Sequence, residues 1–359
     1  MSHSENCPLR IDSLTGFRGI LASLVLVAHS ALRLGYLEDD NLVNQVIGIL
    51  GHFGVMGFFI LSGFILNFVY DKREWTLREF FVNRFARLYP LYILGVLFAF
   101  PIDWFSPNFA PGMKLEALGL NLVGLQAWFP FANGRFNGPG WTISVEFFFY
   151  LCFPICFWLK KRSQLAIPLI FIGVFCVTVL YWDSNRFSTS YRFPAMRLWE
   201  FLFGILLCDI FRKFPIRTSK PWIWALVSLA LGPVLAVLSR EYFNWDFGSW
   251  LLMGGCAAAT ILFLGKGDLD GVKARPFAGK YWVLAGEISY GVYLLHAPIQ
   301  RYGKVFFEKI FATSLAHSGA AIQVLYLLLV TFGAIFMAYF SWRFLETPAR
   351  IFIRKRLKS

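Results

Sequence analysis

Apolar residues recur along the chain in blocks of about 20, each long enough to cross a bilayer as a helix. The blocks fall at 14–34, 48–70, 85–105, 141–160, 165–183, 196–212, 221–239, 247–265, 283–301 and 321–346. This pattern predicts an all-α polytopic membrane bundle of about ten transmembrane helices. Residues 106–140 depart from it. Their apolar stretch, 118–131, is too short to span, which predicts a re-entrant or interfacial piece on the outer side.

An even number of spans puts both termini on one side. Basic clusters such as Lys160–Lys161–Arg162, Arg212–Lys213 and Arg354–Lys355–Arg356 fall on that side, whereas the first loop opposite is acidic, with Glu38, Asp39 and Asp40. The bias predicts N- and C-termini in the cytoplasm. The domain reading is a short cytoplasmic segment, 1–13, one transmembrane domain, 14–346, and a basic tail, 347–359, expected to lie on the inner leaflet. The first apolar block is too long for a signal-peptide core and lacks a small-residue cleavage site, so no cleavable signal is expected.

Composition excludes an ordinary soluble protein: 57% of residues are hydrophobic, 19% aromatic and only 15% charged. The net charge of +13 would suit nucleic acid in a soluble chain. In a membrane protein it reflects basic cytoplasmic loops, so the expected partner is the bilayer. Five of the six cysteines sit in apolar runs, with neither disulfide nor zinc-site spacing, and read as packing residues.

The first block carries two groups that lipid rejects, Arg18 and His29. Eleven residues of helix bring them to within about 20° of one another and about 16 Å apart along the axis. Depths counted from the span ends place His29, Glu146, Glu200 and His296 in one outer layer, with Glu146 counted from an outer entry at Trp141. One buried histidine can be structural glue. Four ionisable groups at one level point instead to a site, in which a carboxylate beside His29 fixes its tautomer and raises its basicity. No metal site is expected, because the histidine and cysteine spacings do not suit one.

At the other end, Arg84 and Arg87 share a helix face, and with Arg18 they form a cluster suited to phosphate oxygens. The second block is rich in glycine, with Ser62 among Gly51, Gly54, Gly57 and Gly63. That spacing serves close helix packing or clears room for a long ligand. Ser62 and Trp141 are expected to line the site. A basic inner mouth and a deep imidazole fit a phosphorylated thioester donor with the reach of coenzyme A. A transporter or flippase using the same polar layer is the rival reading, although the inverted repeats common in transporters are not seen.

Several motifs resemble the integral-membrane acyltransferase family 3. They are L-T-G-F-R-G-I at 14–20 with the Arg18–His29 spacing, F-F-I-L-S-G-F at 58–64, R-F-A-R-L-Y-P at 84–90 and N-G-P-G-W-T-I-S-V-E-F-F-F-Y at 137–150. R-L-W-E-F-L-F-G at 197–204, G-E-I-S-Y-G-V-Y-L-L-H-A-P at 286–298 and F-L-E-T-P-A-R at 344–350 come next, in order. The resemblance implies a ten-helix bundle in a bacterial inner membrane that takes acyl-CoA, most simply acetyl-CoA, from the cytoplasm. It implies O-acylation of an envelope or exported glycan, a lipid-linked saccharide included, or else of a small secondary metabolite. It marks Arg18 and His29 as essential, Arg84 and Arg87 as donor-side residues, and Glu146 as the family's carboxylate. Glu200 and His296 are expected to line the site. Thr15 stands where the family commonly has Asp, and the esterase-like domain of some members is not expected here.

Overall fold

A computed structural model of the protein describes residues 11–35, 42–107, 109–181, 191–214, 218–243, 246–269 and 277–358. Most of the expected N-terminal segment, Cys7 and the acidic residues Glu38, Asp39 and Asp40 lie outside the described residues. The described chain is helical and contains no strand. Its helices are α1 (Asp12–Arg33), α2 (Leu42–Tyr70), α3 (Leu77–Trp104), α4 (Pro111–Leu122), α5 (Trp141–Arg162) and α6 (Ala166–Tyr181). They continue with α7 (Leu198–Lys213), α8 (Pro221–Phe243), α9 (Asp246–Leu269), α10 (Lys280–Phe311), α11 (Ala320–Ser341) and α12 (Thr347–Lys358).

Every apolar block coincides with a helix. Seven of the described helical stretches are both long and apolar enough to cross a membrane. Three blocks miss those criteria for different reasons. Helices α6 and α7 have only 16 residues each. Helix α10 has 32 residues but carries Glu287, His296, Gln300 and Arg301. Its polar groups are accommodated because it packs inside the bundle against α1, α3 and α11.

Helix ends reflect local chemistry. The Asp268 carboxylate from α9 caps the first turn of α1, accepting from Ser13 N at 2.7 Å and Ser13 Oγ at 2.6 Å. The Thr76 hydroxyl accepts from Glu79 N at 3.1 Å, so α3 begins at Leu77. Arg84 and Arg87 therefore lie two to three turns inside α3 rather than at its start. The stretch expected as a separate basic tail is helix α12, which continues from α11 through one π-helical turn, Trp342–Glu346, and packs against α3.

Glycine sets the closest crossings. A Cβ at Gly63 would overlap the carbonyl oxygen of Phe201, and one at Gly204 would overlap that of Ile60, so α2 and α7 touch backbone to backbone. Gly286 on α10 lies against the Thr15 carbonyl, and Gly19 on α1 against Ala285. Further along, Gln300 Nε2 on α10 donates to Ser30 Oγ on α1 at 2.8 Å, so the two helices run side by side and in parallel, in a fixed register.

The 106–140 segment bends back into the bundle. Asn137 Nδ2 donates to Leu294 O at 3.0 Å, and Gln126 Nε2 donates to Gly140 O at 2.6 Å. Asn137, Pro139 and Gly140 are buried. Helix α5 consequently starts inside the protein and not at its surface.

Candidate active site

The register of α1 and α10 brings two imidazoles together. His296 is fully buried, His29 is half-buried, and their ring centroids are 5.0 Å apart. His296 Nδ1 lies 3.0 Å from Val292 O. A carbonyl only accepts, so Nδ1 carries the proton and Nε2 of the neutral ring is an acceptor. His296 Nε2 is 3.2 Å from His29 Nδ1, which also lies 3.1 Å from Val25 O. Both of those partners accept, so His29 Nδ1 is the donor. The lone pair of His29 is therefore on Nε2, which has no hydrogen-bond partner among the described residues. A neutral imidazole held this way is a proton acceptor with a fixed direction.

A cavity of about 360 Å³ runs along the bundle towards this pair. At the basic end, where α1 begins, its walls are Ile11, Leu14, Phe68, Val69 and Asn83. The same end carries Arg18, Arg84, Arg87 and Arg350, with Ser62, Glu146, Glu287 and Tyr290 beside them. Its far end is apolar and aromatic: Val55, Phe58, Phe59, Ile143 and Tyr293, with Thr142. Guanidiniums at one end and apolar walls at the other suit a ligand that is anionic at one end and uncharged at the other.

His29 and His296 do not line this cavity. Tyr293 stands between: its ring forms part of the far wall, meets Phe58 edge to face at 5.8 Å and lies 6.1 Å from the His296 ring. Side chains on a helix lean towards its N-terminus, so both imidazoles reach down towards that wall.

The other expected site residues separate into two groups. Arg18, Arg84, Arg87, Ser62 and Glu146 share the cavity. Glu146, expected against His29, is instead bonded by Tyr150 OH at 3.2 Å and faces the arginines. The reason is the buried start of α5: a depth counted from Trp141 as a surface residue puts Glu146 too near the outside. Trp141 itself is buried against Phe59 and Tyr191, with centroids 6.0 and 5.1 Å away, and does not line the cavity. Glu200 forms a fully buried ion pair with Arg197, Nη2 to Oε1 2.7 Å. The Arg197 guanidinium sits over the rings of Phe59, Tyr191 and Trp250 at 4.7–5.4 Å. That pair holds α7 in place and does not touch His29.

Glu287, Tyr290, Tyr293, Phe58 and Arg350 are site residues that sequence reasoning left without a role. Their signal was modest. Glu287, Tyr290 and Tyr293 follow one another at three-residue steps, so each neighbours the next on α10, and the row drifts round the helix before it reaches His296. Among the described residues, no three His, Cys, Asp or Glu side chains gather as a metal site requires.

Residues 11–345 match the acyltransferase domain family known as acyltransferase 3. The acyltransferase MdmB of Streptomyces mycarofaciens is 28% identical over 325 residues, covering 82% of this chain and 80% of its own. The O-acetyltransferase OatA of Staphylococcus aureus is 25% identical over 330 residues, 84% of this chain and 53% of its own. The peptidoglycan O-acetyltransferase OatA of Listeria monocytogenes is 25% identical over 373 residues, 95% of this chain and 56% of its own. The chain thus spans little more than half the length of the OatA proteins. No solved structure matches it. With its apolar helices and these bacterial relatives, the protein is a multi-pass membrane acyltransferase, and the chain belongs to the acyltransferase 3 family.

Proposed function

We propose that the protein moves an acyl group, acetyl in the first instance, from a coenzyme A thioester to a hydroxyl of an envelope or exported glycan. On this reading all ten apolar blocks span a bacterial inner membrane and both termini are cytoplasmic. The donor enters at the basic end, and the acceptor approaches from the other face. The observation that carries the reading is the alignment of three parts: a guanidinium-lined mouth, an apolar cavity and, just beyond its far wall, an imidazole with its Nε2 lone pair free. Relatives named as O-acetyltransferases support acetyl, and the relative named for peptidoglycan supports a cell-wall glycan.

Each side chain then has a task. Arg18, Arg84 and Arg87 hold the donor's phosphates, and Glu146 balances their charge when the donor has left. The pantetheine arm extends past Ser62, and the thioester meets the Phe58–Tyr293 wall. Those rings part to let it reach His29. His29 Nε2 takes the proton of the acceptor hydroxyl as the alkoxide forms a bond to the thioester carbon. The C–S bond breaks, coenzyme A leaves as thiolate, and the imidazolium returns its proton to that sulfur. His296 holds His29 in the tautomer this requires.

The test uses purified protein in detergent, acetyl-labelled acetyl-CoA and soluble wall-glycan fragments. The expected result is one O-acetyl ester formed per coenzyme A thiol released. An intact thioester together with glycan movement between vesicle faces would support the transporter reading instead.

A further inference from the structure

The family match ends at residue 345, just inside the F-L-E-T-P-A-R stretch at 344–350, and the wall of the cavity continues to the last residue of that stretch. Arg350, one turn into α12, lines the main cavity. It also borders a small void of about 30 Å³ shared with Arg18, Arg87, Glu287, Tyr290 and Glu346. Two features hold Arg350 there. The π-helical turn, Trp342–Glu346, adds a residue to the helix and re-aims α12. Glu346 at its end is buried, accepts from Ser341 Oγ at 3.4 Å, and lies four residues before Arg350 on the same helix face. This buried carboxylate, with Glu287 in the same void, lies among three guanidiniums and offsets their mutual repulsion.

We propose that α12 belongs to the donor site, with Arg350 as a binding residue for the phosphate oxygens of the acyl donor. Glu346 is the positioning residue that keeps it beside Arg18 and Arg87. The inference rests on the reading of the cavity as the thioester site. It adds to the sequence-based expectation that the basic segment lies on the inner leaflet: Ile351, Phe352, Lys355 and Arg356 of α12 are exposed, whereas Arg350 is half-buried and lines the cavity. Arginine suits the task because its planar fork binds phosphate in a bidentate way.

The experiment compares two thioesters with the same acetyl end, acetyl-CoA and acetyl-pantetheine, the second without phosphate. For the full-length wild type in detergent, KM is lower for acetyl-CoA. In Arg350→Ala the ratio of the two KM values falls about tenfold, the loss of one charge-assisted contact, and Arg350→Lys restores part of it. If Arg350→Ala lowers the melting temperature, Arg350→Gln, which keeps the side-chain stem, replaces it. An unchanged ratio in a folded variant, whatever its overall rate, overturns the proposal, because a purely structural or lipid-anchoring role affects both donors alike. A wild type that uses neither thioester refutes the reading of the cavity, and a wild type that uses both equally refutes its phosphate contacts.

Discussion

His296 Nε2 lies 3.2 Å from His29 Nδ1, and the Val292 carbonyl behind His296 fixes the tautomer of both rings. The orienting partner of the candidate base is thus a second histidine and not a carboxylate. His296→Ala leaves His29 Nδ1 with only Val25 O and frees the ring to turn. The expected result is a fall in kcat of about 10²-fold or more, with the KM for the thioester nearly unchanged. Steady-state kinetics check it. A loss confined to KM would remove His296 from this role.

The register that creates the histidine pair depends on Gly286. A methyl group there meets the Thr15 carbonyl, so α10 must move away from α1. Gly286→Ala is expected to cost about 1–3 kcal/mol of stability, as overpacking does, and to lower activity further by separating the imidazoles. Thermal unfolding in detergent, measured beside activity, tests this. A variant as stable and active as wild type would show that the crossing is looser than described.

The helical blocks were legible in the sequence because they depend only on hydropathy and helical period. The layer of four ionisable groups was not. Its error lies in 106–140, where Asn121, Gln126 and Asn137 bury their amides and draw the start of α5 inside. Hydropathy registers that segment only as an apolar stretch too short to span. Three buried amides and the tight Gly138–Gly140 turn are the one sequence signal of an inward fold. Glu200 was misplaced for another reason: Arg197, three residues before it, takes the carboxylate as its own partner.

Arg87 shares the donor cavity with Arg18 and Glu146. On the proposed donor reading, Arg87→Ala removes one phosphate contact and leaves the glutamate with less compensation. KM for acetyl-CoA is expected to rise about tenfold, with Arg87→Lys intermediate because lysine keeps the charge but loses the fork. Equal loss in both variants would point to geometry and not to charge.

Phe58 and Tyr293 close the far end of the cavity against each other. Shortening Phe58 to Ala opens that wall where the acyl group arrives. Relative use of butyryl-CoA over acetyl-CoA is expected to rise by about tenfold, in line with the 1–3 kcal/mol that pocket fit gives per methylene. Competition between the two donors, read by product mass, measures it. An unchanged preference would separate the aromatic pair from acyl selection.

The most direct test replaces His29 itself. Purified His29→Ala is incubated with labelled acetyl-CoA and acceptor glycan beside wild type, and both proteins are melted in the same detergent. The account predicts no transferred acetyl above background from a bundle that melts like wild type. Acetylation of the acceptor at near wild-type rate by that variant would contradict it.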